Sequence, residues 1–258
     1  MDKSSLVGIL VAVGGITAGL LLDGGNLGQI LQPTAAMIVF GGTLGAVMLQ
    51  FPLPFVILAF GSLANVFIER GSEAGATIAQ LVGYANKARK DGVVSLDSEL
   101  EKIHEPFLKK SLMLAVDGTE PEELRKMMEL VMENQAEQEE NIPKVFESAG
   151  GFSPTIGIIG AVLGLIQVMG HLSDIQEVGR GIAVAFVATI YGVALANLFC
   201  LPAAGKLRIR LRERQVQREI VLEGVISILE GMNPRMLETK LRGYLAETAQ
   251  AKAADDGA

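Results

Sequence analysis

Charged residues are distributed very unevenly along the chain, and the gaps between them predict four membrane-spanning helices. The predicted spans cover residues 6–22, 34–51, 148–170 and 181–204, and none of them contains Asp, Glu, Lys, Arg or His. A helix needs about 20 apolar residues to cross the hydrocarbon core of a bilayer. A secretory signal peptide is the competing interpretation of the first run, but no cleavage region followed by a soluble domain comes after it. We therefore expect four retained spans.

Prolines end the second span and separate it from a shorter apolar segment. Pro52 and Pro54 interrupt the helix, because proline lacks the N–H that a helix interior requires. Residues 55–68 are apolar but too short for a crossing, which favours an interfacial helix. The predicted domains are a first hairpin with this helix (1–68), a cytoplasmic helical region (69–147), a second hairpin (148–205) and C-terminal cytoplasmic helices with a tail (206–258).

The basic residues predict the orientation of the spans. The loop 23–33 contains no Lys or Arg, and the loop 171–180 contains only Arg180, whereas residues 69–147 contain ten Lys or Arg. Short basic connections remain on the cytoplasmic side of a membrane. Both termini are therefore expected in the cytoplasm, and the predicted fold class is an all-α polytopic membrane protein with four transmembrane helices and a helical cytoplasmic domain.

Composition agrees with a membrane protein and excludes several function classes. Half of the 258 residues are hydrophobic, and the mean hydropathy is +0.39. A net charge of −7 is the wrong sign for a nucleic-acid-binding surface, so we expect no nucleic acid partner. One cysteine and two histidines form no metal-ligand pattern. Phosphate-binding loops and nucleophile motifs are also absent, so the sequence predicts no enzyme, no cofactor and no metal.

Helical periodicity predicts amphipathic helices in the region 69–147. One apolar face contains Ile78, Leu81, Val82 and Ala85, and another contains Leu124, Met127, Met128, Val131 and Met132. Thr119 and Glu122, three residues apart, are typical of the start of a helix. The last of these helices is expected to continue toward the third span.

The spans have a distinctive polar and glycine content. The pairs Gly15/Gly19, Gly41/Gly45 and Gly160/Gly164 have the GxxxG spacing, which is typical of close helix packing within a chain or between subunits. Since a proton relay needs an ionisable group within the membrane, the chain requires a carboxylate from another polypeptide to conduct protons. Polar residues and prolines of the third and fourth spans either bond to their own helix or line a wet path: Pro154, Thr155, Thr189, Tyr191, Asn197 and Pro202.

A turn marked by Gly92 separates basic from acidic residues. The residues before it are Lys87, Arg89, Lys90 and Asp91, and the acidic residues Asp97, Glu99 and Glu101 follow it. Such a surface either is simply solvated or contacts a partner with the complementary order of charges.

Several long motifs resemble the MotA/PomA family of flagellar stator subunits, part of the MotA/TolQ/ExbB superfamily. They are PTAAMIVFGGTLGA (33–46), KARKDGVVSLDSELE (87–101), GGFSPTIGIIGAVLGLI (150–166), AFVATIYGVALANLFCLP (185–202) and GMNPR (231–235). The resemblance extends from the first span to about residue 250. It implies a ring of five copies around two copies of a MotB-like partner, whose single span supplies an aspartate and whose periplasmic domain binds peptidoglycan.

The resemblance also implies roles for particular residues. Arg89 and Asp97 match the positions that contact the rotor protein FliG, with Lys90 and Glu99 beside them, although Asp97 is shorter than the usual glutamate. Pro154 and Pro202 resemble the prolines that couple ion binding to movement, and Thr189 resembles the channel-lining threonine; Thr155 and Tyr191 lie nearby in sequence. Ala161 replaces the threonine of sodium-driven members, which favours protons.

The function implied by the resemblance is therefore a stator subunit that converts proton motive force into torque in the bacterial inner membrane, in contact with lipid. The alternatives are a sodium-driven stator, a TolQ- or ExbB-like energiser of an envelope process, a solute carrier and a passive helical scaffold. The first two share the superfamily, but energisers resemble three-span proteins. A carrier would need a binding site of its own or repeated halves.

Overall fold

The computed structural model describes residues 3–67 and 74–255, and no strand occurs within these ranges. The sequence-predicted boundary between the interfacial helix and the cytoplasmic region, Ile68 and Glu69, lies outside the described residues. The described residues form ten α-helices: α1 (Lys3–Leu22), α2 (Pro33–Gln50), α3 (Leu53–Ser62), α4 (Ala64–Phe67), α5 (Ala74–Asp91), α6 (Asp97–Leu100), α7 (Pro106–Val116), α8 (Pro121–Gly170), α9 (Ile175–Leu229) and α10 (Pro234–Asp255).

Four of these helices are long and apolar enough to cross a membrane, which confirms the prediction of four spans. The first two spans are α1 and α2, and the third and fourth lie within α8 and α9, which have 50 and 55 residues. The helix before the third span thus continues through it, as expected. Helix α2 is π-helical over Met37–Gly41, and α9 is π-helical over Leu195–Cys200. Within a long helix, such π-helical stretches are frequent at functional positions.

Local sequence signals explain where these helices begin and end. Pro33 occupies the first position of α2, where its missing N–H would have no partner in the helix. The Asp174 side chain accepts hydrogen bonds from the N–H groups of Gln176 and Glu177, so it caps the start of α9. Pro52 precedes α3 (Leu53–Ser62), which begins two residues before the predicted segment 55–68, because Pro54 is tolerated in the first turn of a helix.

The chain forms two compact units, and the first combines the N-terminal helices with residues 140–209. One of its apolar clusters contains Ala35, Val39, Val184, Val187 and Ala188. A second cluster consists of Val47, Val56, Ala59, Val66, Val145, Phe146, Ala203, Ala204 and Leu207. Most large side chains of the spans are exposed in the single chain, as expected for helices that face lipid or another subunit.

The second unit combines the segment that ends at Glu139 with residues 210–258. Its core consists of large aliphatic side chains that are completely or almost completely buried: Leu81, Leu96, Leu112, Leu124, Met128, Ile220, Ile226, Leu237 and Leu241. The predicted apolar faces are confirmed at Ile78 and Leu124, whereas Met127 is 41% exposed. Met127 lies beside the buried face because residues 124 and 128 are one turn apart and residue 127 is rotated away from both.

Candidate functional site

The third and fourth spans pack against each other through their backbones. A Cβ placed on Gly157 would lie 2.9 Å from the Ala188 carbonyl oxygen, and one on Gly164 would lie 2.7 Å from the Gly181 carbonyl oxygen. Both distances are too short for any side chain. Only glycine permits this approach, and close backbone contact is the usual way in which helices associate within a bilayer.

Pro154 and Thr189 lie at the same helix contact. A Cβ on Gly192 would be 3.2 Å from the Pro154 Cα and would also collide with the Ser153 carbonyl oxygen. Gly157 lies about one helical turn after Pro154, and a Cβ on Gly157 would lie 3.4 Å from the Thr189 Cα. The structure therefore places both sequence-predicted residues along the same contact between the third and fourth spans, although 35 positions separate them in the sequence.

Both threonines of the candidate path bond to their own helix. The Thr155 hydroxyl donates to the Phe152 carbonyl oxygen at 2.8 Å, and the Thr189 hydroxyl donates to the Ala185 carbonyl oxygen at 3.1 Å. These bonds match the local alternative for polar groups in a span. A hydroxyl oxygen that donates one bond can still accept another, so the bonds are compatible with either alternative.

Tyr191 connects the fourth span to the start of the second. Its hydroxyl donates to the Ile30 carbonyl oxygen at 2.6 Å and accepts from the Gln32 N–H at 3.4 Å. Its ring lies 6.1 Å from the ring of Phe40, centroid to centroid. The tyrosine thus holds the residues that precede Pro33 against α9.

Pro202 lies away from this contact, whereas Ala161 lies next to it in sequence. Pro202 is ten residues beyond Gly192, or about 15 Å along the helix, and it lies two residues after the π-helical segment Leu195–Cys200. Ala161 is half-buried beside Gly160, where an added Cβ would lie 2.7 Å from the Ala188 Cβ. The six predicted ion-path residues are therefore distributed along the two spans.

Two buried hydroxyls in the spans escaped the sequence analysis. Ser153, beside Pro154, and Thr43, in α2, are 0% and 4% exposed. Neither hydroxyl has a hydrogen-bond partner among the described residues. The available signal was a small polar residue within an uncharged run, but the sequence does not show which of these residues are buried.

The charged cluster around Gly92 is built on a tight turn in the second unit. Gly92 has a φ of +83°, a left-handed conformation that favours glycine, and it joins α5 to a 3-10 helix over Val93–Leu96. Leu96 is completely buried and anchors the turn to the core. Arg89 and Lys90, before the turn, and Asp97, after it, are all exposed.

Glu99 differs from these three residues because it is held inside the cluster. Its carboxylate accepts from the Lys87 ammonium at 2.6 Å and from the Lys102 ammonium at 3.1 Å. Lys87 also donates to the Ser98 hydroxyl at 2.8 Å. The hydrogen bond from Lys87, followed by that from Lys102, lowers the pKa of Glu99 below its usual value. Glu99 thus braces the turn that presents its exposed neighbours.

A second ionic group of this unit was missed by sequence reasoning. Glu223 is 8% exposed, and its carboxylate accepts from Arg125 at 3.0 Å and from Lys240. Burial alone would raise the pKa of Glu223, but the hydrogen bonds from Lys240 and Arg125 outweigh burial and lower it. The network joins α8, α9 and α10 within the unit. Nothing in the sequence marks Glu223, since Arg125 is 98 residues away.

The described residues offer no metal site, because no three His, Cys, Asp or Glu side chains come close enough together to hold an ion.

Comparisons with known proteins indicate the same family along the whole chain. The family model for the N-terminal part of motility protein A matches residues 6–92, and the model of the MotA/TolQ/ExbB proton channel family matches residues 99–220. Motility protein A of Bacillus subtilis (strain 168) is 34% identical over 261 residues, covering 100% of this chain and 96% of the relative.

Solved structures give the same result. The structure of C. jejuni MotAB matches with a TM-score of 0.89 at 33% identity, over 95% of this chain and 96% of that chain. The structure of the flagellar MotAB stator complex from Bacillus subtilis matches with a TM-score of 0.86 at 33% identity, over 98% of this chain and 100% of that chain. This chain therefore belongs to the MotA/TolQ/ExbB proton channel family and is a flagellar motor stator subunit.

Proposed function

We propose that this stator subunit conducts protons together with a MotB-like, peptidoglycan-binding partner and uses the flow to turn the rotor. The observation that carries the proposal is the absence of Asp, Glu, Lys, Arg and His from all four spans. Proton relays within a membrane depend on such groups, so the carboxylate has to come from the single span of the partner. The similarity to solved MotAB complexes supports a partner of this kind.

The ion path runs along the third and fourth spans. The proposed path and coupling residues are Pro154, Thr155, Ala161, Thr189, Tyr191 and Pro202. The contact between Pro154 and Gly192 supports a coupling role, because a shift of one helix there moves the backbone of the other. Tyr191 contributes by fixing the start of the second span against the fourth.

Protons rather than sodium are the proposed ion. Ala161 offers no oxygen, whereas a hard cation such as sodium is bound by oxygen ligands. Exchange of sodium for potassium in the medium is expected to leave swimming speed unchanged, whereas a protonophore abolishes swimming. Swimming that requires sodium would contradict this assignment and favour a sodium-driven stator.

The exposed charges around Gly92 contact the rotor protein FliG. Arg89, Lys90 and Asp97 are exposed, which supports a direct contact, and Glu99 completes the group by bracing the turn. The double variant Arg89→Glu with Asp97→Lys is expected to lower torque while membrane assembly remains intact. The matched control is Lys109→Glu with Asp117→Lys, an exposed pair in the same unit. Equal torque from both double variants would contradict the contact.

The assembly is proposed to be a ring of five copies around two partner chains in the bacterial inner membrane, with lipid around the ring and both termini in the cytoplasm. The proposed domains are the hairpins 1–68 and 148–205 and the cytoplasmic regions 69–147 and 206–258. The asymmetry of Lys and Arg between the connections supports this orientation. The subunit acts as a channel component rather than as an enzyme, without cofactor, metal or nucleic acid.

Two measurements test the function as a whole. Deletion of the gene is expected to leave cells with complete filaments that do not rotate, whereas swimming cells with envelope defects would indicate an energiser of the TolQ or ExbB type. Proton flux into liposomes is expected only when the chain and the partner are reconstituted together. Equal flux with and without the partner would contradict the shared channel.

A further inference from the structure

A cavity of about 390 Å³ lies within the membrane unit, between helix α1 and the end of the fourth span in α9. Its apolar wall includes Ile9 and Ala12 on one side and Phe199 and Pro202 on the other. Ser5 and Lys206 also line it. The cavity thus combines an apolar interior with a cationic group and a hydroxyl.

The polar residues lie where both spans end. Ser5 belongs to the first turn of α1, and Lys206 is the first charged residue after the uncharged run that ends at Gly205. Since the chain enters the first span and leaves the fourth on the same side, both residues lie at one membrane boundary. The apolar wall extends from this boundary into the hydrocarbon region.

One side of the cavity is formed by helix α1, which is exposed along its length in the single chain. Among the described residues, none in the apolar window of α1 is buried. Water is a poor occupant for such a site, because the apolar wall offers it few hydrogen-bond partners. The surrounding solvent is lipid, so an acyl chain is the occupant that matches the wall.

We propose that this cavity binds an anionic phospholipid, with one acyl chain between α1 and the fourth span and the phosphate at Lys206 and Ser5. The inference rests on the orientation in the proposed function, which places this boundary in the cytoplasmic leaflet. Basic pockets between spanning helices on that side are suited to anionic head groups. The ammonium and the hydroxyl both donate hydrogen bonds to phosphate oxygens.

The lipid also contacts the irregular part of the fourth span. Pro202 lines the cavity, and so do Asn197, Leu198 and Phe199 of the π-helical segment Leu195–Cys200. Proline and a π-helical turn each interrupt the regular hydrogen bonds of a helix and permit it to bend. A bound acyl chain therefore packs directly against this irregular segment.

The first test measures which phospholipid the complex retains. The complete complex, reconstituted in vesicles of equal phosphatidylglycerol and phosphatidylcholine and extracted in mild detergent, is analysed by native mass spectrometry. We expect enrichment of phosphatidylglycerol, and Lys206→Gln reduces this enrichment about fivefold, the effect of one basic residue. Arg212→Gln removes an exposed charge from the same helix outside the cavity and leaves the enrichment unchanged.

A second pair of variants tests the apolar part of the site. Ala12→Phe fills the cavity and is expected to remove the retained lipid of both types. Val13→Phe adds the same ring at a neighbouring position that does not line the cavity, and the lipid is expected to be retained. The inference is overturned if the wild-type complex retains no phosphatidylglycerol preferentially, or if both members of either pair behave alike.

A photo-crosslinking residue at position 12 identifies the occupant directly. An adduct with the mass of a phospholipid supports the proposal, whereas a crosslink to a second copy of the chain or to the partner overturns it. Proton flux measured in the same vesicles separates this inference from the proposed function. Selective lipid retention without flux contradicts only the channel, and flux without selective retention contradicts only the lipid site.

Discussion

The two compact units hold their helices together by different means. In the membrane unit, the third and fourth spans meet through glycines such as Gly157 and Gly192, whose added Cβ atoms would collide with the facing backbone. In the second unit, the core consists of large aliphatic residues such as Leu81 and Leu237, and an ionic group at Glu223 joins three of its helices. The same chain thus uses small residues in one unit and large residues in the other.

The surrounding solvent explains this difference. Water drives large apolar side chains together, and a fully buried leucine contributes roughly 1.5–3 kcal/mol. Lipid tails are as apolar as leucine, so helices within a bilayer gain mainly from close contact of their backbones. A substitution that is severe in one unit therefore has a different physical cause in the other, and the expected effects can be ranked.

The largest effect is expected from Leu81→Ala in the second unit. Leu81 is completely buried, and removal of a buried leucine side chain costs about 2–5 kcal/mol because a cavity remains. Thermal unfolding of the purified protein is expected to show a clearly lower melting temperature for this variant. The control Leu130→Ala removes the same atoms from a side chain that is 60% exposed. Equal losses from the two variants would show that the core does not determine stability.

The next largest effect is expected from Gly192→Ala in the membrane unit. The new methyl group would collide with the Ser153 carbonyl oxygen and lie near the Pro154 Cα, so the two helices have to separate. Overpacking of this kind costs about 1–3 kcal/mol. We expect lower thermal stability in detergent and weaker torque in cells. Gly179→Ala is the matched control, because a Cβ there meets no described atom within 4 Å.

A smaller effect is expected from Glu223→Gln, which keeps the shape of the side chain and removes its charge. Hydrogen bonds to charged groups contribute about 1.5–3 kcal/mol, and this loss is reduced because Arg125 and Lys240 are 38% and 37% exposed. Thermal unfolding at neutral pH measures the loss. Glu219→Gln removes an exposed charge one turn earlier on the same helix. A control that lost as much stability would contradict the role of the network.

The sequence predicted the spans of the membrane unit but not the contacts between them. Four spans followed from the gaps in charge, because bilayer thickness alone sets the required length. The GxxxG spacing did not show which glycines meet a neighbour. A Cβ on Gly160 or Gly164 would collide with α9, whereas one on Gly15 or Gly19 meets no described atom within 4 Å. The spacing places two residues on one helix face but contains no information about the opposite helix.

The candidate site was predictable to a similar extent. The turn at Gly92 followed from the sequence, and three of the four residues predicted to contact the rotor are exposed: Arg89, Lys90 and Asp97. The sequence could not show that Glu99 is held by Lys87 and Lys102, because the distances depend on how the turn folds back. Glu223 was missed for a related reason: it is one of 29 acidic residues, and only the packing of distant helices buries it.

The smallest expected effect is a pH dependence that further separates the two units. The folded-state pKa of Glu223 lies below the usual value of 4.5, so its stabilisation is present above that value and is lost as pH falls through the folded pKa. The difference in melting temperature between the wild type and Glu223→Gln is therefore expected to be constant near neutral pH and to shrink in acid. The Gly192→Ala difference has no titrating group at its contact and is expected to persist over the same range. A Glu223→Gln difference that persists unchanged in acid would contradict a stabilisation that depends on the charge of Glu223.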